Sequence, residues 1–439
     1  MLERDLTGQG QRGVPGRRRA GLGVMAVVGL VSVLAAACSS SPAPKGAGQH
    51  QQAAGSPSAP PPAQVTITPA DGNTHARPNK GISVKVSSGK ISNVTVTAGK
   101  SQVGGTLAAG ATAWHTNWPL RTGTHYKVTV GAVSAQGRAS TTVSSFRTLT
   151  PAATFSASTI LGLNQTYGVG MPITINFSQP VTHKAAVEKA INIKTSKPVV
   201  GAWMWDGDQT LAFRPRTFWP QHTKVSFVAH FNGVQAAPGV YGTTNLNQSF
   251  RIGNSLIGVT STRTHKTRIY WKGKYYATWA DSSGMPGRDT ANGTYLTIEK
   301  ANPTLMSGPG YHNLPVYWSV RFTWSGNYYH AAPWSLGEQG FINVSHGCVN
   351  LSPQHAAWYY ERSNPGDPIT ITGSPVAGTW DDGYTQWFYT WKQVLAHSVT
   401  HKAVQAGPTG STFVDPSTLP AKPARTVLNG SKKHNYFAG

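Results

Sequence analysis

Cysteine and acidic residues are scarce in this chain of 439 residues. Only two cysteines occur, Cys38 and Cys348, and no Cys-x-x-Cys pair accompanies them. This content argues against a disulfide-stapled fold and against the usual zinc-ligand spacing. Asp and Glu number 15 against 38 Lys and Arg, which leaves a net charge of +23. A chain this basic favours anionic partners such as nucleic acid, anionic lipid or an acidic wall polymer.

The chain also lacks a long hydrophobic run near its start. The apolar stretch 22–37 is too short for a comfortable membrane span and follows a cluster of arginines, which predicts a signal peptide over residues 1–38. Ala35-Ala36-Ala37-Cys38 resembles a lipobox, which predicts a lipid on Cys38 and an exported protein at the outer face of the cell membrane or in the cell wall. Simple secretion after an Ala-x-Ala site is the alternative. Nucleic acid is a poor partner for an exported chain.

The chain from residue 39 to residue 252 is predicted to form a linker and two domains, and residues 65–252 hold no candidate pair of nucleophile and base. Residues 39–64 are mainly Ser, Pro, Ala, Gly and Gln, and we predict a flexible linker. Residues 65–149 and 150–252 alternate apolar with polar residues and share a faint repeat, so each predicts one β-sandwich. The first range holds nine Lys and Arg against one acid. This charge fits either a handle on anionic wall polymer or general solubility.

The most informative stretch contains His330, His346 and Cys348. A free thiol has a pKa of roughly 8.5, and an imidazole that takes its proton generates the nucleophilic thiolate. Gly347 permits a sharp turn, and its amide with that of Cys348 is a candidate pair of oxyanion donors. The same residue types also suit a buried apolar cysteine, hydrogen-bonded histidines or three zinc ligands. From the residues alone, these interpretations stay open.

Two sequence blocks resemble the L,D-transpeptidases, whose catalytic domains have the YkuD fold. They read His330-Ala331-Ala332-Pro333-Trp334-Ser335 and Ser345-His346-Gly347-Cys348-Val349-Asn350, with Asn350 where many members have Arg. The resemblance is to the actinobacterial multidomain branch. It implies a mostly β fold class: two immunoglobulin-like β-sandwiches, a YkuD-type β-rich catalytic domain at 253–373 and a short helical C-terminal subdomain at 374–400.

The resemblance also implies roles for single residues. Cys348 is the implied nucleophile, His330 its base, and the Ala331 carbonyl the group that orients the imidazole. Residues 328–330 are expected to end one strand, and 344–349 to form the adjacent strand and loop within hydrogen-bond reach. His346 either assists or shapes the loop. The remaining implied site residues are the loop and oxyanion positions Ser345, Gly347 and Asn350, and the substrate-binding positions Met306, Tyr311 and Trp334.

Further segments near the site have two interpretations each. Residues 303–317, rich in Pro and Gly, resemble the lid that covers the active site in this family. Residues 282–284 and 290–295 resemble two other family blocks, but structural turns are the preferred interpretation. The aromatic residues Tyr311 and Trp334 fit core packing as well as a pocket wall.

The C-terminal stretch is rich in aromatic residues. Tyr384, Trp387, Phe388, Trp391 and Leu395 fall on one helix face, and we predict a helix packed on the catalytic domain. Residues 401–439 contain Lys, His, Pro and Gly without periodicity, and we predict a basic, largely disordered tail.

The implied function is that of an exported enzyme acting on the stem peptides of peptidoglycan. Cys348 would attack the carbonyl of the third stem residue, a diaminopimelate, expel the terminal D-Ala and pass the acyl group to a second stem as a 3→3 cross-link. No metal or organic cofactor is implied, and carbapenems are expected to acylate the thiol. The alternatives are a sortase-like cysteine transpeptidase and a non-catalytic wall-binding lipoprotein.

Overall fold

The computed structural model describes residues 59–308 and 310–420. The predicted signal peptide, Cys38, most of the predicted linker and residues 421–439 lie outside this part. Within the described ranges, no helix has both the length and the apolar character needed to cross a membrane.

The first domain is built from two four-stranded sheets. One has the order β1-β2-β6-β5 and the other β4-β3-β7-β8. Their inward residues alternate along the strands as predicted, and Val84, Val128 and Val130 are fully buried between the sheets with Trp114 and Phe146. The strands are β1 Gln64–Thr68, β2 Ser83–Ser87, β3 Gly89–Ala98, β4 Ser101–Gln102, β5 Gly105–Leu107, β6 Ala113–Thr116, β7 His125–Ser134 and β8 Ala139–Arg147.

The second domain encloses a larger aromatic core that includes Phe177, Trp203, Phe213 and Phe227. Its elements are β9 Ala153–Phe155, β10 Ala157–Thr159, β11 Thr166–Tyr167, β12 Ile173–Phe177, α1 Lys184–Lys189, β13 Ile191–Thr195, β14 Val199–Asp206, β15 Thr210–Pro215, β16 Lys224–Ala229, β17 Gln235–Ala237, β18 Val240–Gly242 and β19 Leu246–Ile252. Two groups of strands, β10-β12-β15-β14 and β13-β16-β19-β11, wrap this core, and β17-β18-β9 form a small third sheet.

The catalytic region predicted at 253–373 contains a five-stranded sheet, β22-β21-β20-β30-β23, and a four-stranded sheet, β24-β27-β28-β29. The elements are β20 Leu256–Ser261, β21 Lys266–Trp271, β22 Lys274–Ala280, β23 Gly293–Leu296, β24 Glu299–Ala301, β25 Thr304–Gly308, β26 Tyr311–Val316, β27 Ser319–Arg321, β28 Tyr328–Ala331, β29 Val349–Leu351, α2 Pro353–Arg362 and β30 Pro368–Thr372. Strands β25 and β26 pair as a separate hairpin.

The prediction of a disordered tail is wrong for its described part. Strands β31 Ala403–Gly407 and β32 Gly410–Val414 form a hairpin. Strand β31 lies between β14 and β13 and so joins the two strand groups of the second domain into one ten-stranded sheet. Val404 and Ala406 enter the core of that domain. The short strand β31 is not evident from local sequence, because its pairing partners β13 and β14 lie some two hundred residues earlier in the chain.

The predicted helix that carries Tyr384, Trp387, Phe388, Trp391 and Leu395 on one face is also wrong. Only α3 Trp391–Ala396 is α-helical, and it begins at a capping box formed by Thr390 and Gln393. Val394 packs with Ala202 and Met204 of the second domain, and not on the catalytic region as predicted.

The aromatic residues before α3 have separate neighbours. Trp387 lies against Phe218 and Arg214 of the second domain, while Phe388 packs edge-on against Tyr295 of the catalytic region. Their helical spacing therefore reflects contacts with two different domains, and the segment connects those domains.

Candidate active site

The two halves of the sequence motif meet on neighbouring strands. Strands β28 and β29 are parallel, with His330 opposite Asn350 and Tyr329 opposite Val349. Cys348 immediately precedes β29. Side chains alternate between the faces of a sheet, so Tyr328, His330, Cys348 and Asn350 share one face. The predicted adjacency of these two segments is confirmed, although the second strand begins only at Val349. Hydrogen-bond reach between His330 and Cys348 stays a prediction.

The His330 imidazole is held by its own strand. It is 3% exposed, and its Nδ1 lies 2.9 Å from the Ala331 carbonyl oxygen. A carbonyl only accepts hydrogen bonds, so Nδ1 carries the proton and Nε2 has the free lone pair. Burial lowers the pKa of His330 to about 4, although the Ala331 hydrogen bond opposes this shift. The ring is therefore neutral near pH 7 and able to accept a proton at Nε2.

The Cys348 thiol is half-buried beside the backbone of the segment before β28. Its Sγ lies 3.8 Å from the Gly326 carbonyl oxygen. Burial raises the pKa of Cys348 to about 11, which a backbone hydrogen bond at Tyr328 only partly offsets. The resting site therefore contains a neutral thiol and a neutral imidazole, and no preformed ion pair.

The loop that carries the thiol is closed by one hydroxyl. Ser345 Oγ donates to the Cys348 carbonyl oxygen at 2.6 Å and accepts from the Gly347 N–H at 3.1 Å. Gly347 has a φ of +125°, a conformation that favours glycine. Because the Gly347 N–H is already bound to Ser345, the predicted oxyanion pair is wrong for this amide in the resting structure.

The segments 282–284 and 290–295, for which turns are the preferred interpretation from the sequence, support this loop. Ser345 N–H donates to the Ser283 carbonyl at 3.0 Å, and Thr290 Oγ1 donates to the Gly347 carbonyl at 2.8 Å. Ser282 pairs with Asn350 through both backbone groups. The prediction of turns is wrong: Ser282 and Gly284 form β-bridges to Asn350 and Ser345, and 293–295 belong to strand β23. The hydrogen bonds of both segments position the cysteine loop. Their likeness to family blocks was the signal for this second role.

A buried network that the sequence did not reveal lies behind this loop. The Asp281 carboxylate accepts from Thr267 Oγ1 at 2.8 Å and from Ser283 Oγ at 3.1 Å. Thr260 Oγ1 lies 2.7 Å from Thr267 Oγ1 and 2.6 Å from the Tyr329 hydroxyl. The chain of hydroxyls thus runs from the strand that carries His330 to the segment that holds Ser345. Burial raises the pKa of Asp281 to about 7, against the effect of its two hydroxyl donors.

A cavity of about 820 Å³ opens beside the thiol. The hairpin β25–β26, which lies in the segment that resembles the family's lid, contributes to its lining, and Met306 and Tyr311 are among the lining residues. Charged side chains of both signs border it. The lining also includes Arg288, Asp289, Ser325, Asn327, Tyr328, His346, Gly347, Cys348, Val376 and Asp382.

The other expected site residues lie at different depths. His346 is exposed, and its ring centroid lies 5.3 Å from that of Tyr311. Asn350 is buried and donates to Ser335 Oγ at 3.0 Å, so it supports the loop and does not border the cavity. Trp334 is 53% exposed, and its ring stacks on that of His330 with centroids 6.0 Å apart. It therefore belongs neither to the core nor to the wall of this cavity.

Metal ligation was the remaining interpretation of these side chains. Within residues 59–308 and 310–420, no group of three or more His, Cys, Asp or Glu side chains is arranged to hold a metal ion. We therefore interpret the site through its thiol and imidazole.

Comparison with known proteins gives two family matches. Residues 73–235 match a bacterial Ig domain, which spans parts of both predicted sandwiches, and residues 256–371 match the L,D-transpeptidase catalytic domain. L,D-transpeptidase 5 of Mycobacterium tuberculosis is 32% identical over 84% of this chain and 81% of its own length. L,D-transpeptidase 2 of the same organism is 30% identical over 75% of this chain and 83% of its own. The predicted fold class and family are thereby confirmed, and the chain belongs to the L,D-transpeptidase family.

Proposed function

We propose that this protein forms 3→3 cross-links in peptidoglycan through a thioester on Cys348. The observation that supports this most strongly is the hydrogen bond that orients the His330 imidazole. The Ala331 carbonyl accepts it from Nδ1, which leaves Nε2 unprotonated, with a free lone pair, on the strand that pairs with the one following the thiol. A neutral thiol needs such a base, because its pKa of about 11 leaves little thiolate near pH 7.

The proposed reaction has two acyl transfers. His330 Nε2 takes the thiol proton as Cys348 Sγ bonds to the carbonyl carbon of the third stem residue. The tetrahedral intermediate expels the amine of the terminal D-Ala, which receives that proton, and a thioester remains. The side-chain amine of a second stem then attacks the thioester and loses its proton to His330. The sulfur leaves as the thiol, so enzyme and protons are restored.

The cavity next to Cys348 suits a zwitterionic donor. Diaminopimelate carries both an ammonium and carboxylate groups, and the cavity is bordered by Arg288 on one hand and by Asp289 and Asp382 on the other. Asp382 is held by Ser325 through its N–H and its hydroxyl, both at 2.6 Å, so this carboxylate has a defined position. Tyr311 of the lid and exposed His346 complete the wall above the thiol.

The test is covalent labelling followed by product analysis. A carbapenem offers a strained carbonyl to the thiol, so the wild-type protein is expected to gain one adduct per chain by intact mass, and Cys348→Ala none. With tetrapeptide muropeptides, the wild-type protein should release D-Ala and produce 3→3 dimers. An unmodified, folded wild-type protein contradicts the nucleophile. Adducts without 3→3 dimers contradict the cross-linking reaction, and transfer of a protein substrate instead would favour the sortase-like alternative.

We further propose that the protein is exported and anchored by a lipid on Cys38, with peptidoglycan stems and an anionic wall polymer as partners. The basic n-region, the short apolar segment and the small residues before Cys38 support the anchor. Cys38→Ala is expected to release the protein to the medium or to leave the precursor uncleaved. Unchanged processing and membrane retention of this variant contradict the lipid anchor.

A further inference from the structure

The first two domains meet at a cleft far along the chain from the thiol. The cleft has a volume of about 360 Å³ and is lined by residues 98–126 of the first domain and by His230, Asn232 and Asn245 of the second. At its centre, the Trp118 ring stacks on the His230 ring with centroids 3.8 Å apart and an angle of 11° between the planes. Neither ring is fully buried.

The two walls of the cleft are held in a fixed relation. Asn79 Nδ2 donates to Gln235 Oε1 across the domain boundary at 3.2 Å. Gly233 packs so tightly on the first domain that a Cβ there would lie 1.8 Å from the Leu120 carbonyl oxygen. A cleft between rigidly joined walls is a preorganised site and loses little conformational entropy when it binds.

Amide groups surround the stacked rings. Asn117 Oδ1 accepts from Thr106 Oγ1 at 2.6 Å, and Asn245 Oδ1 accepts from the Asn232 N–H at 3.0 Å. These bonds hold the two amides while their NH₂ groups have no partner among the described residues. Asn232 Oδ1 is buried and also lacks a hydrogen-bond partner. A buried polar atom without a partner is costly, and a bound polar ligand or water would satisfy it.

The chemistry of the lining selects a class of ligand. Arg121 is the one charged side chain that lines the cleft, and no carboxylate does. A cationic ligand therefore finds no counter-charge, whereas an anionic group can pair with Arg121 and a neutral ligand needs no counter-charge. Aromatic faces pack on the C–H faces of sugar rings, and side-chain amides match hydroxyl and acetamido groups in donor and acceptor pattern. The volume lies at the lower end of small-ligand pockets, which run from about 300 to 1,000 Å³.

We propose that this cleft binds one or two rings of an N-acetylated, carboxylate-bearing glycan strand of the cell wall. The inference rests on the proposed action on peptidoglycan, whose stem peptides are attached to such a glycan. Binding at the two N-terminal domains would hold the polymer while the catalytic region reacts with its stems. It also narrows the role of these domains from a general basic handle to a defined saccharide site.

The test uses soluble glycan strands from which an amidase has removed all stem peptides. Binding to the full chain is measured by calorimetry. Trp118→Ala is expected to weaken binding at least tenfold, and Asn245→Ala severalfold. Asn247→Ala is the matched control, because this exposed asparagine lies two residues from Asn245 and outside the cleft, and it should bind as the wild type does.

Each outcome decides the proposal. No binding of stripped strands by the wild type, or binding only to peptide-bearing fragments, overturns it. Equal binding by Asn245→Ala and wild type, or equal loss in Asn247→Ala, also overturns it. Asn245→Ala keeps the test valid if Trp118→Ala does not fold. Carbapenem labelling of Cys348, measured on the same samples, reports the proposed catalytic function separately.

Discussion

His330 and Cys348 are both neutral in the resting protein because burial disfavours the charged form of each. In the proposed reaction, the proton moves as the thiol attacks a carbonyl. This arrangement differs from a thiolate–imidazolium pair and makes reactivity depend on the base. The two histidines differ in their surroundings, since His330 is buried and hydrogen-bonded to Ala331 while His346 is exposed.

The two histidines therefore predict different kinetics. His330→Ala is expected to slow carbapenem acylation of Cys348 by about 10²–10⁴-fold, the usual contribution of a general base. His346→Ala should have a much smaller effect, since its ring is exposed and lies against Tyr311 of the hairpin β25–β26. Stopped-flow or intact-mass time courses measure both rates. The reverse order would assign the base to His346.

Asp281 predicts a pH-dependent stability. Its pKa rises from 3.8 in the unfolded chain to about 7 in the folded protein, because the carboxylate is buried. Between these values the folded state binds the proton more often, so stability falls as the pH rises from about 4 to about 7, by an amount on the order of a few kcal/mol. Thermal unfolding across this pH range should therefore favour Asp281→Asn progressively more at higher pH.

A constant difference in Tm between wild type and Asp281→Asn from pH 4 to pH 8 would contradict this prediction. Asp289→Asn provides a control, since this carboxylate borders the open cavity and is less buried than Asp281.

At the scale of elements, the hairpin β31–β32 and the turn before it are attached to the second domain by a buried carboxylate. Glu188 is 0% exposed and accepts from Trp205 Nε1 at 2.9 Å, Val399 N at 3.0 Å and Ser398 Oγ at 2.9 Å, with a further bond from Thr400 Oγ1 at 2.6 Å. No cation is among its hydrogen-bond partners in the described ranges. The charge is satisfied by donors alone, so loss of the carboxylate leaves several buried donors unpaired.

We expect Glu188→Ala to destabilise the protein by at least about 2 kcal/mol, because each unpaired buried donor costs about 1–3 kcal/mol. Glu188→Gln keeps one acceptor oxygen and should lose less. Glu361→Ala is the surface control, since the Glu361 side chain is 58% exposed and pairs with Arg362 at the surface. Denaturant unfolding measures all three, and a loss for Glu188→Ala no greater than for Glu361→Ala would show that the carboxylate does not anchor the turn.

On the scale of the whole described molecule, the chain returns to its second domain after completing the catalytic region. Trp387 Nε1 donates to the Gly170 carbonyl at 2.8 Å, and Arg214 donates to the Tyr389 carbonyl at 3.1 Å. Strand β31 then completes the sheet of the second domain. These contacts join the second domain to the segment that follows the catalytic region, and we expect the two parts to depend on each other in folding.

A chain shortened to begin at residue 253 tests this interdependence. It lacks β13 and β14, the partners of β31, and so exposes the edges of the hairpin and the apolar side chains Val404 and Ala406. We expect it to aggregate more than the full chain by light scattering. Further removal of residues from 401 onwards should reduce this aggregation, and no change on removal would contradict the role assigned to the hairpin.

The family, the mostly β fold and the adjacency of the two motif segments could be predicted from the amino-acid sequence. Local patterns were sufficient for these. The alternation of apolar and polar residues around Val128 and Val130 marks a strand, and the two short motifs that contain His330 and Cys348 can each be read from adjacent residues. The tertiary structure decided the binding of the Gly347 amide to Ser345, the Asp281 network and the return of β31 to the second domain. Each of these depends on groups that are distant in the sequence or on hydroxyl geometry, neither of which a periodic pattern records.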